Sequence, residues 1–439
     1  MLFALKQLYS FSICVIKFQG ELSDSFRMDR GVRQGAASSV LLFNSFMDDL
    51  FKYLDDRCSA EAVLGDIHSL IHADDTVILS TDRASFIKKC NQVVIFFTEN
   101  RLRLNLSESA YLIINPKEID TKSTIVLSAG VLKYKSEIEY LGVYVNDSGS
   151  LKKDIQQFVD KKRANVSIKY TNFCKANRNA PLHVKLDVLE TCVAAALTYG
   201  CETWGKYCKE ADLSHRSGLK TALNVRQCLN NEIVYIETGK WPLHCRIKKS
   251  QLKFWLYIKD YTAHYPNSAI SKVLQLAHTN NILYVRYYDD LESTYIDPVS
   301  CKNSLEANLR SSYTNLMRQA LEEDENSRLG TYLRVNPNLQ SFVPNPQHIM
   351  EIERELITRY RTGSHSLAIE RGRYSNIPRE NRLCSCGTGI QTVWHLFSEC
   401  PVTRGLIGDQ QYGSLEDVFT DNDVHRKLLL MCKELKIDI

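Results

Sequence analysis

No stretch of this chain approaches the ~18 uninterrupted apolar residues that a membrane-spanning helix needs, which argues against an integral helical membrane protein. No internal repeat and no low-complexity segment is present, so a solenoid or a disordered tract is not expected. A strong charge of either sign is also lacking. With 55 basic against 51 acidic residues, a formal charge of +4 and a pI near 8.3, any grip on nucleic acid has to come from local clustering. The 14 cysteines show no regular spacing, and several, Cys90 and Cys192 among them, fall on apolar faces. That pattern indicates a reduced thiol set rather than a disulfide framework. The apolar start, Met1 to Ser10, is interrupted by Lys6 and Gln7 and is followed by no small-residue cleavage site, unlike a secretory leader. The expectation is an intracellular protein of the nucleus or cytoplasm, with no membrane partner.

What is present is ordinary globular composition over 439 residues, enough for two to four domains and a sizeable core. Residues 38–54 place Phe43, Met47, Leu50, Phe51 and Leu54 at helical spacing behind serines suited to capping. Phe86, Ile87, Cys90, Val93, Val94 and Phe97 form a second stripe, with Thr81 and Asp82 as candidate caps. Between the two helices, residues 70–79 read as a β-hairpin with Asp74 and Asp75 at its turn. Residues 112–114 and 141–145 read as strands. Together these predict an α+β layer, an antiparallel sheet backed by helices. From Leu151 the pattern turns helical. Leu182, Leu186, Leu189, Cys192, Val193 and Ala196 form a buried stripe, and Pro344 and Pro346 suggest a later boundary.

Four short signals follow in one order: Gly31-Val32-Arg33-Gln34-Gly35, then His72-Ala73-Asp74-Asp75, then Leu102-Arg103-Leu104-Asn105-Leu106-Ser107, then Tyr140-Leu141-Gly142. This series resembles the reverse transcriptase of non-LTR (LINE-type) retrotransposons, whose pattern runs G-V-R-Q-G, aromatic-A-D-D, L-x-L-N-x-S-K and Y-L-G. A looser likeness continues at Tyr199-Gly200-Cys201-Glu202-Thr203-Trp204, which is similar to the family's thumb signature. The resemblance implies a partial right-hand polymerase palm over residues 1–150, a helical thumb over 151–235, a helical extension over 236–345, and a C-terminal region over 346–439. It also implies RNA-directed DNA polymerisation on an RNA template with a DNA primer and deoxynucleotides.

Templated nucleotide addition uses two divalent ions that clamp the attacking and leaving oxygens, and Mg²⁺ demands hard oxygen ligands. By resemblance Asp74 and Asp75 are the catalytic carboxylates that bind Mg²⁺, or Mn²⁺ in its place. Arg33, Gln34 and Gly35 would line the nascent base pair, and His72, Leu141 and Gly142 would contact the primer. Three departures bear on activity. The family's further metal-bridging Asp belongs to a strand well before Gly31, and neither Asp24 nor Asp29 stands far enough upstream to replace it. His72 takes the place of an aromatic residue. Glu108 stands where the family carries Lys, and a carboxylate there repels the triphosphate that a lysine would neutralise. The expected activity of this chain is therefore weak or absent. A non-catalytic nucleic-acid-binding remnant of the same element is the alternative.

Two further clusters concern binding. Lys152, Lys153, Lys161, Lys162, Arg163, Lys169, Lys175 and Arg178 concentrate positive charge that can track a phosphate backbone, with Lys161, Lys162 and Arg163 at its centre. Cys384, Cys386, His395 and Cys400 give the spacing C-x-C-x8-H-x4-C, three thiolates and an imidazole able to close a tetrahedral Zn²⁺ knuckle. Trp394 and Phe397 beside it would pack the knuckle or stack on bases. Only 39 residues follow Cys400, too few for a restriction-like nuclease domain. The endonuclease and fingers regions of a parent polyprotein are expected to lie outside this chain.

Overall fold

A computed structural model describes residues 2–10, 12–28, 31–32, 35–36, 38–117, 123–204, 209–280, 283–295, 311, 314–315, 318–319, 327–342, 350–408 and 410–437. The chain divides into two compact units, Met1–Ser150 and Leu151–Ile439.

In the first unit the helix Arg83–Glu99 is the organising element. Asp82 sits in extended backbone at its start, and its carboxylate accepts from the Ser85 N–H at 2.8 Å, satisfying one of the donors a helix start leaves open. One part of its buried side packs Val93 and Phe96 against Met47, Leu50 and Leu54. Another part packs Cys90, with Phe86 and Ile87, against Tyr111, Ile125, Leu127 and Leu132. Ile78, from the acidic hairpin, joins both cores, so this strand is held where the two meet.

The helix expected over residues 38–54 is two helices, Ser39–Met47 and Asp49–Arg57, which meet at Asp48. Ser38 has helical backbone angles and makes no side-chain cap bond, so the first of these begins without the expected serine cap. The β structure also differs from one antiparallel sheet. Among the described residues it consists of four two-stranded sheets and one three-stranded sheet, in which Ala110–Tyr111 runs parallel to Gly130–Tyr134. Short strands account for this: Lys17–Phe18 with Glu21–Leu22, Ser69–His72 with Asp75–Ile78, Thr124–Leu127 with Gly130–Tyr134 and Glu137–Tyr140 with Val143–Asn146 are each local hairpins.

Two strand positions shift accordingly. Residues 112–114 lie beyond the strand, which is Ala110–Tyr111. Leu141 and Gly142 form a turn rather than a strand, with φ +48° and +77°, joining Glu137–Tyr140 to Val143–Asn146. Positive φ at both central residues is the signature of a type I′ hairpin turn, which suits the right-handed twist of its strands.

The second unit is helical. Leu151–Ala176 is its longest helix, and Phe158 from it packs on Trp204 with ring centroids 5.7 Å apart. The stripe after Leu182 is buried at Leu182, Leu186, Leu189 and Val193, but Cys192 is exposed, contrary to its apolar-face assignment. The segment Leu189–Ala194 is π-helical. Its wider turn carries an extra residue and rotates the register, so Ala194 and Leu197 become buried instead. A separate core gathers Val335, Leu356, Ile357, Leu396, Phe397, Val418 and Leu428. Buried Glu237 links helices across this unit, accepting from Tyr332 Oη at 2.7 Å and from Arg361 Nη2 at 3.0 Å. No described helix is long and apolar enough to cross a membrane.

Candidate functional site

The acidic hairpin pairs Ser69–His72 with Asp75–Ile78, matching His72 to Asp75 across a two-residue turn of Ala73 and Asp74. Ala73 takes φ +52°, a region that costs a residue with a Cβ about 1–3 kcal/mol and persists only where neighbours enforce it. One enforcing contact is Asn44, whose Oδ1 accepts from the Ala73 N–H at 3.0 Å. Asn44 belongs to the helix Ser39–Met47, so the turn is tied to the element that follows Gly35. Sequence reasoning missed this residue. The available signal was a lone amide in an otherwise apolar run, Val40-Leu41-Leu42-Phe43-Asn44.

At the base of the hairpin lies a buried polar cluster that sequence reasoning also missed. Glu61 accepts from Ser80 Oγ at 2.7 Å, Ser85 Oγ at 2.9 Å, Thr81 N at 2.5 Å and Thr81 Oγ1 at 2.6 Å, and pairs with Lys89 Nζ. Lys89 also donates to Leu79 O at 2.8 Å and is fully buried. Burial opposes ionisation of Glu61, but hydrogen bonds from Lys89, Thr81 and Ser80 outweigh it and hold the carboxyl well below its usual range. The outgoing strand of the hairpin is thereby fastened to the helix Arg83–Glu99.

Asp74, Asp75 and His72 are all exposed at the hairpin tip. Tyr140, the last strand residue before the Leu141–Gly142 turn, has its phenol pushed above the ordinary range, first by burial and second by the charge of Asp75. The charge at the acidic tip is thus felt at the Tyr-Leu-Gly segment. The Arg103-Leu104-Asn105-Leu106 segment lines a cleft of about 510 Å³ together with Val94 and Phe97. Glu108 turns back onto this segment, accepting from Asn105 Nδ2 at 2.7 Å, while Asn105 Oδ1 accepts from Ser107 Oγ at 2.7 Å. Gly35 has φ +81°, a conformation open to glycine, whereas Arg33 and Gln34 lie outside the described residues. Among the described residues, no third Asp, Glu, His or Cys ligand atom groups with Asp74 and Asp75.

In the second unit the basic residues of Leu151–Ala176 face solvent, Lys161 and Arg163 included. Lys162 is half-buried, with Nζ 5.7 Å from the Phe158 ring centroid.

Cys384, Cys386, His395 and Cys400 come together, their ligand atoms all within 4.8 Å of one another. The Cys384 and Cys400 sulfurs are 4.0 Å apart, and Cys386 Sγ is 3.2 Å from His395 Nε2. Thiolates about 2.3 Å from a tetrahedral ion stand roughly 3.8 Å apart, so the set is already near ligating geometry. Its scaffold is a tight turn: Cys384 N–H donates to Gly389 O at 2.8 Å, and Gly387 N–H to Cys384 O at 3.0 Å. Gly387 adopts φ +75° there. His395 Nδ1 lies 3.2 Å from Glu399 Oε2, a carboxylate that fixes the tautomer and turns Nε2 toward the sulfurs. Burial raises the Cys384 thiol to about 11. Burial works the same way on Cys386, but hydrogen bonds from Thr388, His395 and Cys384 outweigh it and bring that thiol down to about 6. Gly389 went unrecognised in the sequence, yet a Cβ on it would sit 2.9 Å from His395 Nδ1. Phe397 is buried against Tyr412, with ring centroids 5.6 Å apart, so it packs the core and is closed to base stacking.

Residues 2–145 match the family of reverse transcriptases (RNA-dependent DNA polymerases). The match spans the hairpin, Glu108 and the Tyr-Leu-Gly turn, and covers 144 of the 439 residues. No curated protein matches the chain.

Proposed function

We propose that the Met1–Ser150 unit is the palm of an RNA-directed DNA polymerase of the non-LTR, LINE type. In this reading residues 151–235 form a thumb, 236–345 a helical extension, and 346–439 a region bearing a zinc knuckle. The observation that supports it most is the Asp74–Asp75 tip, tied down by Asn44, inside the stretch similar to reverse transcriptases. The substrates are deoxynucleotides, with a DNA primer annealed to an RNA template. Free thiols at every described cysteine accord with an intracellular site, nuclear or cytoplasmic.

Asp74 and Asp75 suit Mg²⁺ or Mn²⁺ because both are hard oxygen donors, exposed at a hairpin tip held from two sides. Bound divalent ions would stabilise the attacking and leaving oxygens of nucleotide addition. Arg33, Gln34 and Gly35 contact the incoming nucleotide or template, and His72, Leu141 and Gly142 the primer. Lys161, Lys162 and Arg163 hold the duplex backbone by charge. Glu108 places negative charge near the triphosphate, so turnover is slow. Zn²⁺ fits Cys384, Cys386, His395 and Cys400 as a structural ion, since three soft thiolates and an oriented imidazole complete its shell.

Primer extension on an RNA template tests this reading. Weak extension is expected from the wild type, none from Asp74→Ala, and an increase on the order of tenfold from Glu108→Lys, the effect of removing about 1.4 kcal/mol of repulsion. Synthesis unaffected by Asp74→Ala refutes the site. Robust Asp74-dependent synthesis by the wild type refutes the assigned role of Glu108. A second reading, a binding remnant without catalysis, draws on the exposed lysines of Leu151–Ala176. It requires no extension by any variant, together with salt-sensitive RNA binding that survives Asp74→Ala and falls on Cys386→Ser.

A further inference from the structure

In the Leu151–Ile439 unit a cleft of about 300 Å³ opens between two helix ends, and its walls include Arg226, Arg359, Ser364, His365 and Ser366. One helix, Lys209–Leu223, ends at Asn224 with φ +57°, and the other, Glu351–Thr362, at Gly363 with φ +71°. Arg226 is held by its backbone N–H, which donates to Ser364 Oγ at 2.9 Å, and by its guanidinium, 5.1 Å from the Tyr374 ring centroid. Its Nη1 is buried and has no hydrogen-bond partner. Arg359 uses Nε to donate to Asn224 O at 3.2 Å.

The nearby carboxylates are committed elsewhere. Glu370 pairs with Arg328 and Arg373, while Glu355 accepts from Asn224 Nδ2 and faces Lys185 and Arg354. His365 is only 6 % exposed. Its Nδ1 accepts from the Leu367 N–H at 3.3 Å, so Nε2 bears the proton and is a donor. Burial first, then the charges of Arg226, Arg328 and Arg373, lower this imidazole to about 3, so it is neutral at physiological pH.

Cations beside helix C-termini are favoured by the helix dipole, and capping accounts for Arg359 Nε. Capping leaves Arg226 Nη1 unexplained, because a buried N–H without an acceptor is destabilising and this one serves no carbonyl. Two guanidinium groups and an imidazole N–H offer more donors than the two oxygens of a carboxylate can use. A tetrahedral phosphate matches them better.

We propose that this cleft is an anion site that takes a phosphate group, with Arg226, Arg359 and His365 Nε2 as its donors. The proposal stands apart from the polymerase reading, whose acidic tip, Asp74 and Asp75, belongs to the other unit. The phosphate is either a free anion or the terminal group of a nucleotide or nucleic acid.

The test is thermal unfolding of the full chain in inorganic phosphate against chloride at matched ionic strength. It is read by tryptophan fluorescence, because Trp204, Trp241, Trp255 and Trp394 all belong to this unit. At ten times Kd the wild type should gain about 3 °C. Arg226→Met should melt within about a degree of wild type without phosphate, since the orphaned donor is gone, and should lose the response. Arg359→Met should also lose it, and stands as the deciding variant if Arg226→Met does not fold. No wild-type response, or one that both variants retain, overturns the proposal. Binding of a 5′-phosphorylated oligonucleotide over its dephosphorylated form, competed by inorganic phosphate, assigns the source to nucleic acid. A response to inorganic phosphate alone assigns it to the free anion.

Discussion

Replacing Lys89 by Met would break the anchor beneath the acidic hairpin while keeping most of the side chain's length. The Lys89 and Glu61 side chains are 1 % and 7 % exposed, so the pair is shielded from water and salt. Removing one partner of a buried pair costs about 3–5 kcal/mol, because the remaining charge stays desolvated. Ser80, Thr81 and Ser85 still donate to Glu61 in the variant, which favours the lower end of that range. For a unit of 150 residues this is a fall in melting temperature of roughly 10 °C. Tryptophan fluorescence does not report it, since all four tryptophans lie beyond Ser150. Hydrogen-exchange mass spectrometry over residues 67–99 of the full chain does, and protection should drop there by two to three orders of magnitude.

The pH dependence has a definite sign. The Glu61 carboxyl is lowered in the folded state, so its contribution is complete above its unfolded value of about 4.3 and is lost as pH falls through the folded value. Acid should therefore erode protection of residues 67–99 in the wild type, and erode it less in Lys89→Met. A loss under about 1 kcal/mol in Lys89→Met, with unchanged protection, would refute the anchoring role.

Glu399→Gln should weaken metal retention at Cys384, Cys386, His395 and Cys400 by about 10–100-fold, measured by competition with a chelating dye, because the imidazole loses its orienting carboxylate. Gly389→Ala should act at least as strongly, since its new Cβ meets the same ring. Asn44→Leu should cost about 1 kcal/mol of stability through the lost bond to Ala73 and lower primer extension further than that cost explains. Extension equal to wild type would separate Asn44 from the site.

How much of this was legible in sequence depended on the range of the signal. The acidic hairpin was readable because a strand, a two-residue turn and a strand are specified within ten residues. The Cys384 to Cys400 cluster was readable for the same reason, as its spacing carries its chemistry. Boundaries failed where backbone geometry departed from periodicity. A π-helical turn exposed Cys192, and two positive φ angles turned Leu141 and Gly142 from strand into hairpin. The Glu61–Lys89 pair was hidden because its partners are 28 residues apart and Lys89, beside Lys88, looks like ordinary helix surface. Gly389 was hidden because its role is the space it leaves for an imidazole, which no residue pattern encodes.

The hairpin illustrates why the hidden contacts matter to its chemistry. Asp74 and Asp75 are exposed and contribute no burial that would steady the strand. Ala73 adds strain of about 1–3 kcal/mol at the tip. A two-stranded hairpin is marginal in water on its own, so that strain has to be offset from outside the tip. Asn44 restrains the turn, Ile71 and Ile78 bury the strands, and Glu61 and Lys89 fasten the outgoing strand at its base. Position is thus maintained by residues that never reach a ligand. Substitutions at Glu61 or Lys89 should consequently reduce any activity of the tip in proportion to lost local stability, while substitutions at Asp74 or Asp75 should remove activity and leave stability nearly unchanged.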